Sequence, residues 1–383
     1  MKRALAYSLA IIVSNWLSSC DSEEGEQLES VVAEFSAGNT QLDQGFMVSF
    51  TDLSLGTPDT WNWSFEGGSP STSNEQNPTI TYESAGTFEV TLSASNSISS
   101  DVITKSGYIT VNPSFPDGSG LFNLTLTHDD LVREYLMYVP EVYTGSAAVP
   151  LLIDLHGNLG TREQQYNSSE FYKVADVENF ILITPESLIP ERFTQWNYDN
   201  LPDAADDVGF ISTLMDAVIA NYNIDEKRIY VAGSSGGAVM AFNLACQLST
   251  RIAAVAGVKG IMNQAVFNGC NPEKPMPILQ LHGTEDPIIP YDPAVPTTLG
   301  YWVQYNETSQ DPIITPVSDE FPDNGNTADY ILLDNGTNGV TVEHFRVNGG
   351  GHDWFKKPNH DVDATEEAWK FFSKYDLNGR VLR

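Results

Sequence analysis

Ile229-Tyr230-Val231-Ala232-Gly233-Ser234-Ser235-Gly236-Gly237-Ala238-Val239-Met240-Ala241-Phe242-Asn243-Leu244-Ala245 is the stretch that decides the fold. Its first four residues are apolar and mostly β-favouring, as in a buried strand. Its last eight are mostly small or helix-favouring. Between them stands Gly-x-Ser-x-Gly. Those five positions alone are a weak signal that chance can supply. Set between a strand and a helix, they read as a nucleophile elbow, a sharp turn that lifts Ser235 Oγ above a sheet. Gly233 and Gly237 fit because backbone segments in such a turn come too close for a Cβ. The first amides of the following helix lack intrahelical partners and favour developing negative charge. The rival reading is a glycine-rich turn with an idle serine.

A serine hydroxyl needs a base, and histidine is the usual one. His352 lies in Asn348-Gly349-Gly350-Gly351-His352-Asp353-Trp354, a glycine-rich turn after the last expected strand. His344 lies within that strand, His128 before the domain's first, and His282 ends another; His360 reads as surface. His156 reads as a structural residue of its loop. The base needs an acid to fix its tautomer. Asp286 follows the strand Ile278-Leu279-Gln280-Leu281, with Glu285 as its rival. The order Ser235, Asp286, His352 is that of an α/β-hydrolase. The oxyanion donors expected are the amides of Gly236 and of Asn158, the latter after Leu151-Leu152-Ile153-Asp154-Leu155. The chemistry needs no cofactor. No histidine pair has helical i, i+4 spacing, and no metal site is read.

The surrounding pattern agrees. Strands are expected at 131–139, 150–155, 180–184, 228–232, 253–258, 277–281 and 341–347. Helices are expected at 207–222 and 361–375, the latter opened by the capping pattern Asp363-Ala364-Thr365-Glu366. Short apolar strands alternating with helices imply an α/β domain with a mostly parallel, doubly wound sheet, over residues 121–383. Residues 305–335 are polar and irregular, and read as an excursion near the site.

Residues 31–112 differ in kind. Val48 and Phe50, then Trp61, Trp63 and Phe65, then Phe88, Val90 and Leu92 alternate with period two between turn residues, as in a β-sandwich. Trp61-Asn62-Trp63-Ser64-Phe65-Glu66-Gly67-Gly68 and Gly86-Thr87-Phe88-Glu89-Val90-Thr91-Leu92 resemble a PKD domain, an immunoglobulin-like module common in secreted bacterial hydrolases. Glu66-Gly67-Gly68 stands where that family has Gly-Asp-Gly. Trp61 and Trp63 share one strand face and are read as packing residues. Residues 113–120 have linker composition.

The chain opens with Lys2 and Arg3, an apolar run too short to span a bilayer, and Leu17-Ser18-Ser19-Cys20. This resembles a bacterial lipobox: residues 1–20 as signal peptide and Cys20 as the lipidation site. Residues 21–30 form an acidic tether that resembles the export signals of Bacteroidetes surface lipoproteins. An outer-membrane or cell-surface location of a Gram-negative bacterium follows as an expectation. With Cys20 lipidated, Cys246 and Cys270 remain as an even pair able to bridge in an oxidising compartment. The formal net charge is −32, from 51 acidic and 19 basic residues. Such a surface repels nucleic acid and anionic lipid headgroups, and it favours neutral substrates or at least does not steer anionic ones.

Finally, Arg133-Glu134-Tyr135-Leu136-Met137-Tyr138-Val139-Pro140, Leu155-His156-Gly157, Gln195-Trp196-Asn197, Asp206-Asp207-Val208-Gly209-Phe210-Ile211 and Gly350-Gly351-His352-Asp353-Trp354 resemble the polyhydroxybutyrate depolymerase and feruloyl esterase group. The resemblance covers about residues 121–380. It implies a serine esterase acting on feruloyl or acetyl esters of plant polysaccharide, or on polyesters, and a Cys246–Cys270 disulfide. Trp196 and Trp354 become candidate substrate contacts. Ser234 and Phe355 depart from the group's pattern at positions expected on the pocket rim. The alternative is a non-catalytic surface lipoprotein that binds glycan.

Overall fold

The computed structural model describes residues 29–112, 115–116, 118–188 and 195–381. The signal peptide, Cys20 and most of the tether lie outside the described residues.

Alternation builds the first module. Strand Gly86–Ser95 turns Phe88, Val90, Leu92 and Ala94 inward and every second residue outward. A four-stranded and a five-stranded sheet face each other around Phe35, Phe50, Trp63, Phe65 and Tyr82. Trp63 is buried. Trp61, two residues earlier on the same face, is half-buried, and its indole N–H donates to Asp52 Oδ2 at 2.8 Å.

The second module is one ten-stranded sheet with helices on both faces. In chain order its elements are β1 (Gly120–His128), β2 (Leu131–Val139), β3 (Val149–Leu155), α1 (Arg162–Ser169), α2 (Phe171–Glu178), β4 (Ile181–Pro185), α3 (Asp207–Asn221), β5 (Ile224–Ser234), α4 (Gly236–Gln247), β6 (Ala254–Val258), α5 (Gln264–Gly269), β7 (Ile278–Gly283), α6 (Ala294–Asn306), β8 (Ile313–Pro316), β9 (Thr327–Leu333), β10 (Val342–Asn348) and α7 (Ala364–Phe372). The sheet order is β1-β2-β4-β3-β5-β6-β7-β10-β9-β8. From β4 to β10 all neighbours are parallel; the outer pairs are antiparallel.

The central strands are apolar throughout because both faces are covered. Leu151, Ile153 and Val231 pack on one side with Phe210 of α3 and Met240 of α4. Leu152, Tyr230 and Ala232 pack on the other with Phe171 of α2 and Trp369 of α7. The modules touch: Thr127 N–H donates to Ala85 O at 2.8 Å, and Gln44 Nε2 to Thr125 Oγ1 at 3.1 Å.

Two strand assignments differ from the sequence reading. Residues 305–335 are not an irregular excursion near the site. They end α6 and supply β8 and β9, which extend the sheet at its far edge. Every residue of β8 is exposed, so this edge strand carries no apolar alternation to reveal it. The second is β1, unassigned in sequence, which pairs with β2 along its whole length.

Candidate active site

Ser235 stands where β5 gives way to α4. Its φ of 53° and ψ of −116° are the strained geometry of the elbow. The backbone explains the glycines. A Cβ on Gly233 would stand 2.2 Å from Gly237 O, and one on Gly237 2.2 Å from Leu155 O.

Three strand ends bring the reactive groups together. His352 Nε2 lies 3.0 Å from Ser235 Oγ, and its Nδ1 lies 2.7 Å from Asp286 Oδ2. An ionised carboxylate only accepts, so Nδ1 carries the proton and the Nε2 lone pair faces the serine hydroxyl. Asp286 is buried. Its Oδ1 accepts the amides of Ile288 at 2.8 Å and Ile289 at 2.9 Å. Burial by itself would raise this carboxyl. The Ile289 amide, the His352 imidazole and the Ile288 amide outweigh it and hold the group below the usual aspartate value. Glu285, the rival acid, is exposed.

The loop after β3 packs against the elbow. A Cβ on Gly157 would lie 3.1 Å from Ser235 Cβ, and one on Gly236 would lie 3.0 Å from Asn158 N. Asn158 N therefore lies close to Gly236, beside Ser235. Both residues line a cavity of about 650 Å³ together with Ser235, His352, Tyr198 and Lys259. His156 is buried as a loop residue: Nδ1 donates to Gly157 O at 2.8 Å, and Nε2 accepts from Ser187 N–H at 3.0 Å.

The two candidate aromatics part company. Trp354 is half-buried, lines the cavity and is held by its N–H on Thr365 Oγ1 at 3.0 Å. Trp196 is 1% exposed and does not line the Ser235 cavity, which corrects its reading as a substrate contact. Its N–H donates to His156 O at 2.8 Å, so it braces the oxyanion loop from beneath. Of the two departures from the family pattern, Ser234 lines the cavity. Phe355 is fully buried in the core under α7, away from the expected rim. His360 is also buried rather than on the surface, edge-on to Phe355.

His344 is buried between Tyr291 OH at 2.9 Å and Gln280 O at 2.9 Å. His282 Nε2 donates to Ile289 O at 2.9 Å and lies 3.3 Å from Asp286 Oδ2, so it backs the acid. Cys246 and Cys270 form a disulfide joining the last turn of α4 to the end of α5. Among the described residues, His128, Asp129 and Asp206 place potential metal-ligand atoms within 4.8 Å of one another, but none lines the Ser235 cavity.

Sequence reasoning missed Tyr198, Gln165 and Lys259. Tyr198 OH accepts from Asn158 Nδ2 at 3.3 Å and Gln195 Nε2 at 2.8 Å. Gln165 donates to buried Asp154 at 2.7 Å. Lys259 donates to His352 O at 3.3 Å; burial pushes its ammonium below the usual lysine value, against Asp353 and Asp286.

Comparisons with known proteins agree with this fold. Residues 32–105 match the PKD domain family, and residues 195–304 match the Phospholipase/Carboxylesterase family. Feruloyl esterase B of Piromyces equi is 29% identical over 236 residues, 57% of this chain and 42% of that protein. A bifunctional acetylxylan esterase/xylanase of Neocallimastix patriciarum is 25% identical over 250 residues, 65% of this chain and 34% of that protein. The chain thus spans under half the length of these curated relatives. The solved structure of an acetyl xylan esterase from Aspergillus awamori superposes with a TM-score of 0.52 at 16% identity, covering 66% of this chain and 99% of that one. That likeness concerns the fold. The chain joins a PKD domain to a domain of the α/β-hydrolase fold, similar in sequence to feruloyl and acetylxylan esterases.

Proposed function

We propose that the chain is a serine carboxylic ester hydrolase acting on acyl esters of polysaccharide. One observation carries this reading: Ser235 Oγ, His352 and Asp286 form a continuous hydrogen-bonded relay at the floor of an open cavity. His352 Nε2 takes the proton as Ser235 Oγ attacks the ester carbonyl. Asp286 steadies the imidazolium. The amides of Gly236 and Asn158 receive the oxyanion. The alcohol leaves with the proton from His352. Water, deprotonated by the same base, then releases the acid from Ser235. The relatives' names support the substrate class. A hydroxyalkanoate polyester would use the same steps. Lipidation at Cys20 would hold the enzyme at a membrane, with the sandwich as a spacer.

The test is turnover of p-nitrophenyl acetate by wild type and Ser235→Ala. The expected loss is roughly 10⁴-fold or more. Undiminished turnover would overturn the mechanism, as would a wild type that binds polysaccharide and cleaves no ester. Methyl ferulate, acetylated xylan and a polyhydroxyalkanoate, assayed side by side, separate the substrates.

A further inference from the structure

Lys259 occupies a position that the relay does not explain. Strand β6 ends at Val258, the register partner of Ser234, so Lys259 is the next residue beside the nucleophile. Its φ is +47°, a conformation lysine rarely adopts. The backbone is held there: Lys259 N–H donates to Leu281 O at 2.8 Å, and a Cβ on Gly260 would stand 2.6 Å from Ser235 O. The side chain is half-buried and lines the cavity with Ser235 and His352.

Its charge lacks a partner. Arg133, Arg162, Arg251, Arg346, Lys356 and Lys374 each have a carboxylate within 4.0 Å. Lys259 has none among the described residues. Asp353 and Asp286 act on it only through space. Lys227, Lys274 and Arg380 also lack a carboxylate within 4.0 Å among the described residues, but of these four bases Lys259 alone lines the cavity with Ser235. An ammonium has three donors, and the His352 carbonyl takes one of Lys259's. A strap on the His352 loop would use that one donor. It would not require the cation to face the cavity.

The side of the cleft identifies what the cation meets. Asn158 follows β3, on one side of the elbow in the sheet order. Lys259 follows β6, on the other side, towards His352. His352 must protonate the departing oxygen, so the alcohol portion lies on that side. We infer that Lys259 recognises a carboxylate on the departing alcohol, and that the site therefore takes acyl esters carried by a uronic-acid-bearing glycan. This rests on the esterase reading above. A polyester chain fits less well, because its internal repeat units carry no charge and only a terminal unit would offer a carboxylate.

The experiment compares two probes that differ only in charge: the O-acetylated methyl glycoside of glucuronic acid and its uronamide. The wild type should hydrolyse the uronate with a kcat/KM higher by about tenfold or more, the scale of one hydrogen bond to a charged group. In Lys259→Met that ratio should fall to about one, whatever happens to each rate, while Lys259→Arg should keep a preference. A wild-type ratio of one or below overturns the inference, without recourse to any variant. So does an unchanged ratio in Lys259→Met, which would make Lys259 only a strap. A charge preference seen with 3-acetoxybutyrate over 3-acetoxybutyramide, and absent from the sugar pair, overturns the glycan assignment. Failure to cleave p-nitrophenyl acetate would sink the esterase reading itself. Cleavage of it with equal rates on the uronate pair would sink this inference alone.

Discussion

Asp286→Asn is the substitution whose outcome the structure specifies most closely. The native Oδ1 accepts two amides, from Ile288 and Ile289, and Oδ2 accepts from His352 Nδ1 at 2.7 Å. Asparagine has only one acceptor oxygen. Turning its NH₂ towards the two amides would strand two buried donors, at about 1–3 kcal/mol each. The oxygen therefore stays with the amides, and the NH₂ faces His352. Nδ1 must then accept, so the proton moves to Nε2, 3.0 Å from Ser235 Oγ, and the base is lost. Only the flipped rotamer restores the working tautomer. At a total cost of about 2–6 kcal/mol its population falls by roughly 30-fold to 10⁴-fold. Loss of imidazolium stabilisation pushes the result to the upper part of that range, on the order of 10³–10⁴ in kcat. The NH₂ would also face His282 Nε2–H, now 3.3 Å from Oδ2, but that group keeps Ile289 O as its acceptor. The assay is steady-state hydrolysis of p-nitrophenyl acetate, with a thermal melt to show that the variant is folded. A folded Asp286→Asn within tenfold of wild-type kcat would refute the argument.

Four further outcomes follow. Asp154, buried under the cavity, has its carboxyl pushed up to about 7 by desolvation, against the hydrogen bond from Gln165. A raised folded pKa means that ionisation opposes folding, so stability should fall as pH rises towards 7. Asp154→Asn should abolish a loss of roughly 3 kcal/mol between pH 5 and 8, read by urea unfolding; an unchanged pH difference would count against it. Asp286 has the opposite sign: its depressed pKa stabilises the fold above about pH 4, and this is lost as pH falls lower. Replacing Cys246 and Cys270 together by serine reopens a loop of sequence separation 24 and should cost about 3 kcal/mol in the same measurement. Gly237→Ala would place its Cβ 2.2 Å from Leu155 O and 2.4 Å from His156 O. Neither backbone atom can swing aside, so a loss of about 1–3 kcal/mol and of most esterase activity is expected; wild-type turnover would refute it.

Local chemistry made much of this protein legible in its sequence. The elbow is a contiguous strand–turn–helix, so steric need for Gly233 and Gly237 shows in adjacent residues. The sandwich shows because a strand buried on one face alternates, as from Phe88 to Ala94. Strands β3 and β5 show because both faces are covered and the residues are apolar throughout. Asp286 and His352 could be nominated because each follows a readable strand.

Other features depend on contacts that sequence order does not encode. Ser235 and His352 are 117 residues apart and meet only because β5 and β10 lie in one sheet. Strand β8 escaped notice because an exposed edge imposes no periodicity on its residues. Trp196 and Trp354 are chemically alike; packing alone sent one beneath His156 and the other to the cavity wall. Lys259 carried no sequence signal, since a lysine after a strand is ordinarily solvated. Its chemical meaning comes from the sheet, which sets the residue in the cavity with Ser235 and, among the described residues, leaves its ammonium without a carboxylate within 4.0 Å. Sequence by itself determined which residues could do the chemistry, because that depends on side-chain type and local backbone. Tertiary structure decided which of them face the substrate, because that depends on which surfaces the rest of the chain covers.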